Sequence, residues 1–268
     1  MPVKGIVGCI LSNELVDSFP VHRFQIQQGS AKEIFLTMRN GDLVEELDEP
    51  STTQINDQIG KLGIDLPEGY RGEVNLEIHP WIKEISCVLK KGFVLTIDYG
   101  YESNELSSKE IPDGSIQTYY RHANGLNPYQ RIGVQDITAH VNFSSIINAG
   151  LENGLTPVGL SCQTQFLTNL GINQWVSELR TRNLSQNERN SNGMGMRDLT
   201  NPEGLGKFKV LVQEKGVGPS NIKHLLSSDT PFNQKMDSPT SLPAPLLKPE
   251  HIQLMSGRYP DATWSWMP

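Results

Sequence analysis

An α/β fold with a largely parallel sheet is the architecture this sequence predicts, and three observations carry it. Short apolar, β-branched runs recur along the 268 residues, a stretch with helical spacing separates two of them, and two of the runs end in acids. Alternating strands and helices argue for a parallel sheet. In such sheets ligands bind beyond the carboxyl ends of the strands, which is where these acids stand.

Taken in order, residues 5–11, GIVGCIL, read as a buried parallel strand bounded by glycine. From Val21 onward apolar and polar residues alternate, and Asn40-Gly41-Asp42 separates two such runs, which is a hairpin signal. We take residues from about 22 to 66 as an insert. Between Tyr70 and Lys91 the residues Val74, Ile78, Trp81, Ile82, Ile85 and Leu89 fall mostly three or four apart, predicting a helix. Pro80 would kink or restart that helix, and Gly92 would cap it. FVLTID, residues 93–98, is then a strand, and the polar stretch from Tyr99 to Thr138 a long functional loop. NFSSIINAGLENGL, residues 142–155, predicts a helix starting at Asn142 or Phe143 and stopping near Gly154. TPVGLSCQTQFL reads as a strand, NGMGM belongs to a polar stretch, and KFKVLVQEKG gives a last strand. Residues 1–215 thus form the folded domain. Residues 216–268 are a Pro- and Ser-rich tail, extended or disordered, whose final Trp264 and Trp266 would dock on the body.

Composition narrows the function. The net charge of −7, without clustered Lys and Arg, argues against nucleic acid as the main partner. No apolar run approaches the ~18 residues of a membrane span, and the amino terminus lacks the layout of a signal peptide. Cys9, Cys87 and Cys162 form no CxxC, and their odd number speaks against a disulfide framework. They read as small buried residues in a reducing compartment, and the cytoplasm is the expected location. Phosphate-loop, zinc-protease, nucleophile-elbow and GxGxxG motifs are absent, and the six histidines lack metal spacing, so no metal is predicted.

Two polar clusters remain. Asn13, Glu14 and Asp17 follow the first strand, either as a helix cap or as a site. Tyr119, Tyr120, Arg121, His122, Gln135, Asp136, Thr138 and His140 crowd one loop and helix entry. That cluster is either a self-bonded loop, with Asp136 pairing Arg121 or Arg131, or a binding wall.

These same stretches, GCILSNELVDSFPVHRF, GFVLTIDYGY, TYYRH and GVQDITAHVNF with QTQFLTNLGI, resemble the MidA-like methyltransferases over residues 5 to about 212. That family includes the mitochondrial complex I assembly arginine methyltransferase. The resemblance implies a Rossmann-like, class I fold using S-adenosyl-L-methionine. It implies dimethylation of arginine in a protein substrate, on a subunit of a complex I type enzyme, and a mitochondrial location in a eukaryotic source. Family members begin with a further half carrying the Gly-rich loop and the ribose-binding acid, so this chain is expected to be the C-terminal half of that sheet. Truncation raises an alternative, a non-catalytic remnant that acts as an interaction protein, and an unpaired strand edge would favour homo-oligomers.

Methyl transfer to arginine needs positioning and a carboxylate that pairs with the guanidinium. Glu14 is the expected clamp and also lines the cofactor site, with Asn13 orienting the cofactor or the target amide and Asp98 and Tyr99 lining the other wall of the cofactor site. His122, Asp136 and His140 would shape the substrate side, one histidine taking up the released proton. For Asp98 a purely structural role, holding loop amides, stands beside the ligand-binding one.

Overall fold

The computed structural model describes residues 3–106, 114–120, 123–125, 127–218, 222–227, 245–248 and 251. Two compact units emerge, residues 1–158 with 211–219 and residues 159–210 with 220–268.

In the first unit, β1 (Ile6–Asn13) leads through a 3-10 turn, Val16–Ser18, into an inserted antiparallel sheet. That sheet comprises β2 (His22–Gln27), β3 (Ser30–Arg39) and β4 (Asp42–Asp48). The two-residue turn falls at Asn40-Gly41 as expected, both in the left-handed region. Helix α1 (Thr53–Lys61) follows, its amide at Gln54 capped by the Thr52 hydroxyl. β5 (Arg71–Val74) completes the sheet in the order β4-β3-β2-β5. Phe24, Ile26, Ile55, Tyr70 and Val74 form its core.

The helix predicted from Tyr70 is therefore shorter than its spacing suggested. Tyr70, Gly72 and Val74 alternate inward with period two and join the sheet beside β2. Helix α2 (Ile78–Val88) begins only afterwards, with Pro80 in its first turn, where a missing N–H breaks no helical bond. Gly92 is not a cap but lies within β6 (Leu89–Asp98). There a side-chain carbon would meet the Gly8 carbonyl oxygen at 1.8 Å, so only glycine allows β1 and β6 to pair in parallel at this register.

The stretch expected to be one long loop carries short ordered pieces: β7 (Gly100–Tyr101), α3 (Ser103–Leu106), β8 (Gln117–Tyr120), β9 (Ala123–Gly125), β10 (Asp136–Thr138) and β11 (Val141–Asn142). β8, β9 and β10 form a small antiparallel sheet, while β11 pairs in parallel with β7. Helix α4 (Phe143–Glu152) starts where predicted, capped by the Asn142 side chain, and packs on α2 through a core that includes Ile82, Ile85, Phe143 and Ile146.

β12 (Thr156–Cys162) ends earlier than the sequence suggested, because QTQFL opens helix α5 (Gln163–Asn169). In the second unit α6 (Ile172–Glu178) and α7 (Gln186–Thr200) follow. NGMGM is helical, inside α7, and the Ser185/Glu188 capping box that starts this helix was legible as S-x-x-E. Ile172, Leu179 and Met196 make the core of this unit. β13 (Lys209–Lys215) closes the main sheet, whose order is β1-β6-β13-β12. Trp264 and Trp266 lie outside the described residues.

Two expectations about burial fail. On the edge strand β1 one face is left open, with Val7 70% exposed and Leu11 62%. Cys9, on the same face, is exposed too, as are Cys87 and Cys162. Apolar sequence neighbours do not bury a thiol when no layer covers its face.

Candidate active site

β1 and β6 end level, with Asn13 opposite Ile97. Glu14 then turns into the left-handed region at φ 47, its N–H donating to the Ile97 carbonyl at 3.0 Å. That conformation costs a non-glycine residue on the order of 1 kcal/mol, and such strain concentrates at functional sites. The Asn13 amide donates to the Glu14 carboxylate at 3.3 Å, and both side chains are exposed.

Asp98, at the matching end of β6, is fully buried. Its carboxylate accepts N–H groups from Val16 at 3.1 Å, Asp17 at 3.3 Å and Tyr99 at 3.0 Å. The first two belong to the 3-10 turn, whose leading amides have no partner within the turn. Of the two roles open to Asp98, this geometry supplies the loop-holding one. Burial, then the charge of Asp17, push its pKa up to about 7 against the pull of the three N–H groups.

Asp17 is buried beside it. One of its oxygens takes the Tyr99 hydroxyl at 2.5 Å, and the other has no hydrogen-bond partner among the described residues. Burial and then this bond hold the Tyr99 phenol far above its ordinary range. Tyr119 is raised by burial and by the charges of Asp17 and Glu14, and donates to Gln117 at 2.7 Å. Glu14, Asp17, Tyr99 and Tyr119 therefore form one cluster of acids and phenols at the strand ends.

The substrate-side segment is tied down by three successive amides. Ala139 donates to the Asp17 carbonyl at 3.0 Å, His140 to the Ser115 hydroxyl at 3.0 Å, and Val141 to the Tyr99 carbonyl at 3.0 Å. The His140 ring stands edge-on to Tyr99, centroids 5.5 Å apart, and 5.8 Å from Tyr101. Burial lowers its pKa, because the charged imidazolium is disfavoured away from water. Asp136 is exposed on β10 opposite Tyr119. Arg131, one of its two expected partners, lies over the Tyr120 ring at 4.7 Å instead. His122 and Arg121 fall outside the described residues.

Of the four residues expected to hold a cofactor, Asn13 and Glu14 are exposed at the strand end, Tyr99 is half-buried beside them, and Asp98 is closed off. Asn13 and Glu14 are the groups that could meet a cofactor's hydroxyls or amino group. Asp17 went unassigned although it lies three residues past Glu14, and nothing in the sequence marked Gln117 or Ser115.

Comparison with known proteins gives the family. Residues 2–161 match the family described as "Putative S-adenosyl-L-methionine-dependent methyltransferase", and the chain belongs to that family. Two solved structures from Burkholderia thailandensis are similar. One is an uncharacterised protein, 25% identical with a TM-score of 0.72, which the match covers over 84% of this chain and 59% of that one. The other is described as a "likely methyl transferase" bound to S-adenosyl-homocysteine, 26% identical with a TM-score of 0.71, matched over 81% of this chain and 56% of that one. This chain thus spans under three fifths of the length of either. Among the described residues no helix is long and apolar enough to cross a membrane.

Proposed function

We propose that this chain carries the acceptor side of an S-adenosyl-L-methionine-dependent methyltransferase, of the MidA-like kind, acting on arginine in a protein substrate. The observation that carries the reading is Glu14, strained and exposed at the carboxyl end of β1 beside a cluster of acids and phenols. When bound, the cofactor supplies an electrophilic methyl group on sulfur. The residues of this chain orient the acceptor: Glu14 accepts its N–H groups, Asn13 steadies Glu14, and the Tyr99 and Tyr119 rings complete the cluster. His140, whose ring lies 5.5 Å from that of Tyr99, is the group we assign to take up the proton the nitrogen sheds.

The exposed edge and apolar face of β1 support a second part of the reading. The two fifths of the neighbours that this chain does not span would cover Val7 and Leu11 and complete the cofactor site. A subunit of a complex I type enzyme is the substrate we favour, in the cytoplasm of a bacterial source or the mitochondrion of a eukaryotic one.

Calorimetry with S-adenosyl-homocysteine, on this chain and on a form extended to the neighbours' length, tests the cofactor half. We expect micromolar binding by the extended form. Labelled methyl transfer to arginine peptides then tests the acceptor half, with methylarginine formed by the extended protein and reduced at least a hundredfold in Glu14→Gln. Binding by neither form, or label appearing elsewhere than arginine, rejects the reading.

A further inference from the structure

The middle one of the three amides that fix the substrate-side segment has an indirect anchor. Ser115 accepts the His140 N–H at its hydroxyl, and that hydroxyl donates at 2.8 Å to Glu73, on β5 of the inserted sheet. The Ser115 N–H also donates to the same Glu73 oxygen, at 2.9 Å. Donor and acceptor roles thus run in one direction, from His140 through Ser115 to a carboxylate, and each link polarises the next. The approach is tight. Gly114 has φ +86, and a side-chain carbon there would lie 2.2 Å from the other Glu73 oxygen.

Glu73 and His140 also line one small cleft, with Tyr101 and Asn142. The His140 ring meets Tyr99 at about a right angle, the tilted ring of Tyr101, and a long 3.4 Å approach from Gln117. None of these fixes the backbone that carries it. Glu73 is itself held largely away from water, a costly place for a carboxylate that has no ion-pair partner among the described residues. Burial raises its pKa, opposed by the Ser115 bonds and by the Arg23 and Arg71 charges.

We propose that Glu73 is a positioning residue for His140, acting through Ser115, so that the inserted sheet sets the geometry of the substrate side. The inference builds on the proposed role of His140, yet its test needs no turnover. The His140 ring is followed by NMR across pH in the intact chain, assigned with His140→Gln, for Glu73→Gln, Glu73→Ala and Ser115→Ala. Thermal unfolding checks that each is folded.

Glu73→Gln keeps an acceptor oxygen and should leave the His140 midpoint near the wild-type one. Glu73→Ala and Ser115→Ala should raise it toward the ordinary histidine value of about 6.5, because a loosened segment lets water reach the ring. If Glu73→Ala does not fold, Ser115→Ala, which deletes one hydroxyl, carries the test alone. A midpoint unchanged in folded Ser115→Ala overturns the proposal, as does a shift in Glu73→Ala that Ser115→Ala fails to reproduce. A protein that never binds S-adenosyl-homocysteine would reject the methyltransferase reading while leaving this titration result standing.

Discussion

Asp98 and Glu45 are both carboxylates with several hydrogen-bond donors, and the fold drives them in opposite directions. Asp98 meets only neutral backbone N–H groups, in a dry site beside another acid, and rises to about 7. Glu45, on the inserted sheet, is also pushed upward by partial burial, but the Tyr129 hydroxyl, Arg23 and Arg71 outweigh that and bring it down to about 2. Tyr129 donates at 2.6 Å and Arg23 at 2.5 Å, with Arg71 on the second oxygen. The inserted sheet thus neutralises its acid internally, as a staple does. At the strand ends Glu14 and Asp17 have no ion-pair partner among the described residues, which fits a cationic ligand there.

The comparison breaks most visibly at Asp98. Asp98→Ala leaves three buried N–H groups without an acceptor and should cost about 4 kcal/mol, read from denaturant unfolding. A loss below about 1 kcal/mol would show that water replaces the carboxylate and that Asp98 holds nothing. Asp98→Asn sharpens the point through pH. Because the folded pKa lies above the ordinary 3.8, the carboxyl contributes stability that is full below about pH 4 and lost as pH rises through about 7. The advantage of wild type over Asp98→Asn should therefore shrink by about 4 kcal/mol between pH 4 and pH 8, at roughly 1.4 kcal/mol per unit. A constant difference across that range would mean that Asp98 ionises like an ordinary aspartate.

The contrast was only half legible in the sequence. Asp98 and Glu14 stood out because an apolar run ending in an acid is readable from one chain, and their place at adjacent strand ends follows from the parallel pairing. What Asp98 does there was not readable, since its partners Val16 and Asp17 lie 82 and 81 residues away. Glu45 looked like any exposed acid on a hairpin, because Arg23, Arg71 and Tyr129 reach it from three other segments. Periodicity found α4 and the hairpin but misjudged Tyr70–Val74, where four residues of sheet pairing outweighed a spacing that continues into α2.

Tyr99→Phe is the next smaller break. It takes the hydroxyl from Asp17, leaving a buried carboxylate with neither oxygen bonded to a side chain, and should cost about 2 kcal/mol. Because Tyr99 and His140 touch edge to face, the same variant should leave the His140 ring in place, which its ring shifts report directly. Displaced shifts would mean that the hydroxyl, not the ring contact, orders the cluster.

Glu45→Gln gives the smallest effect, and the sign of its pH dependence completes the comparison. A carboxylate held below its ordinary 4.5 adds stability above that value and loses it as pH falls through about 2. Its side chain remains 28% exposed, so solvent screening reduces the contribution to about 1 kcal/mol despite the size of the shift. Wild type should thus exceed Glu45→Gln by that amount at pH 7 and approach it near pH 3, whereas its lead over Asp98→Asn grows on acidification. Two acids in one unit would then titrate stability with opposite slopes. If both slopes carried the same sign, the cation pairing of Glu45 would not be what sets it apart from Asp98.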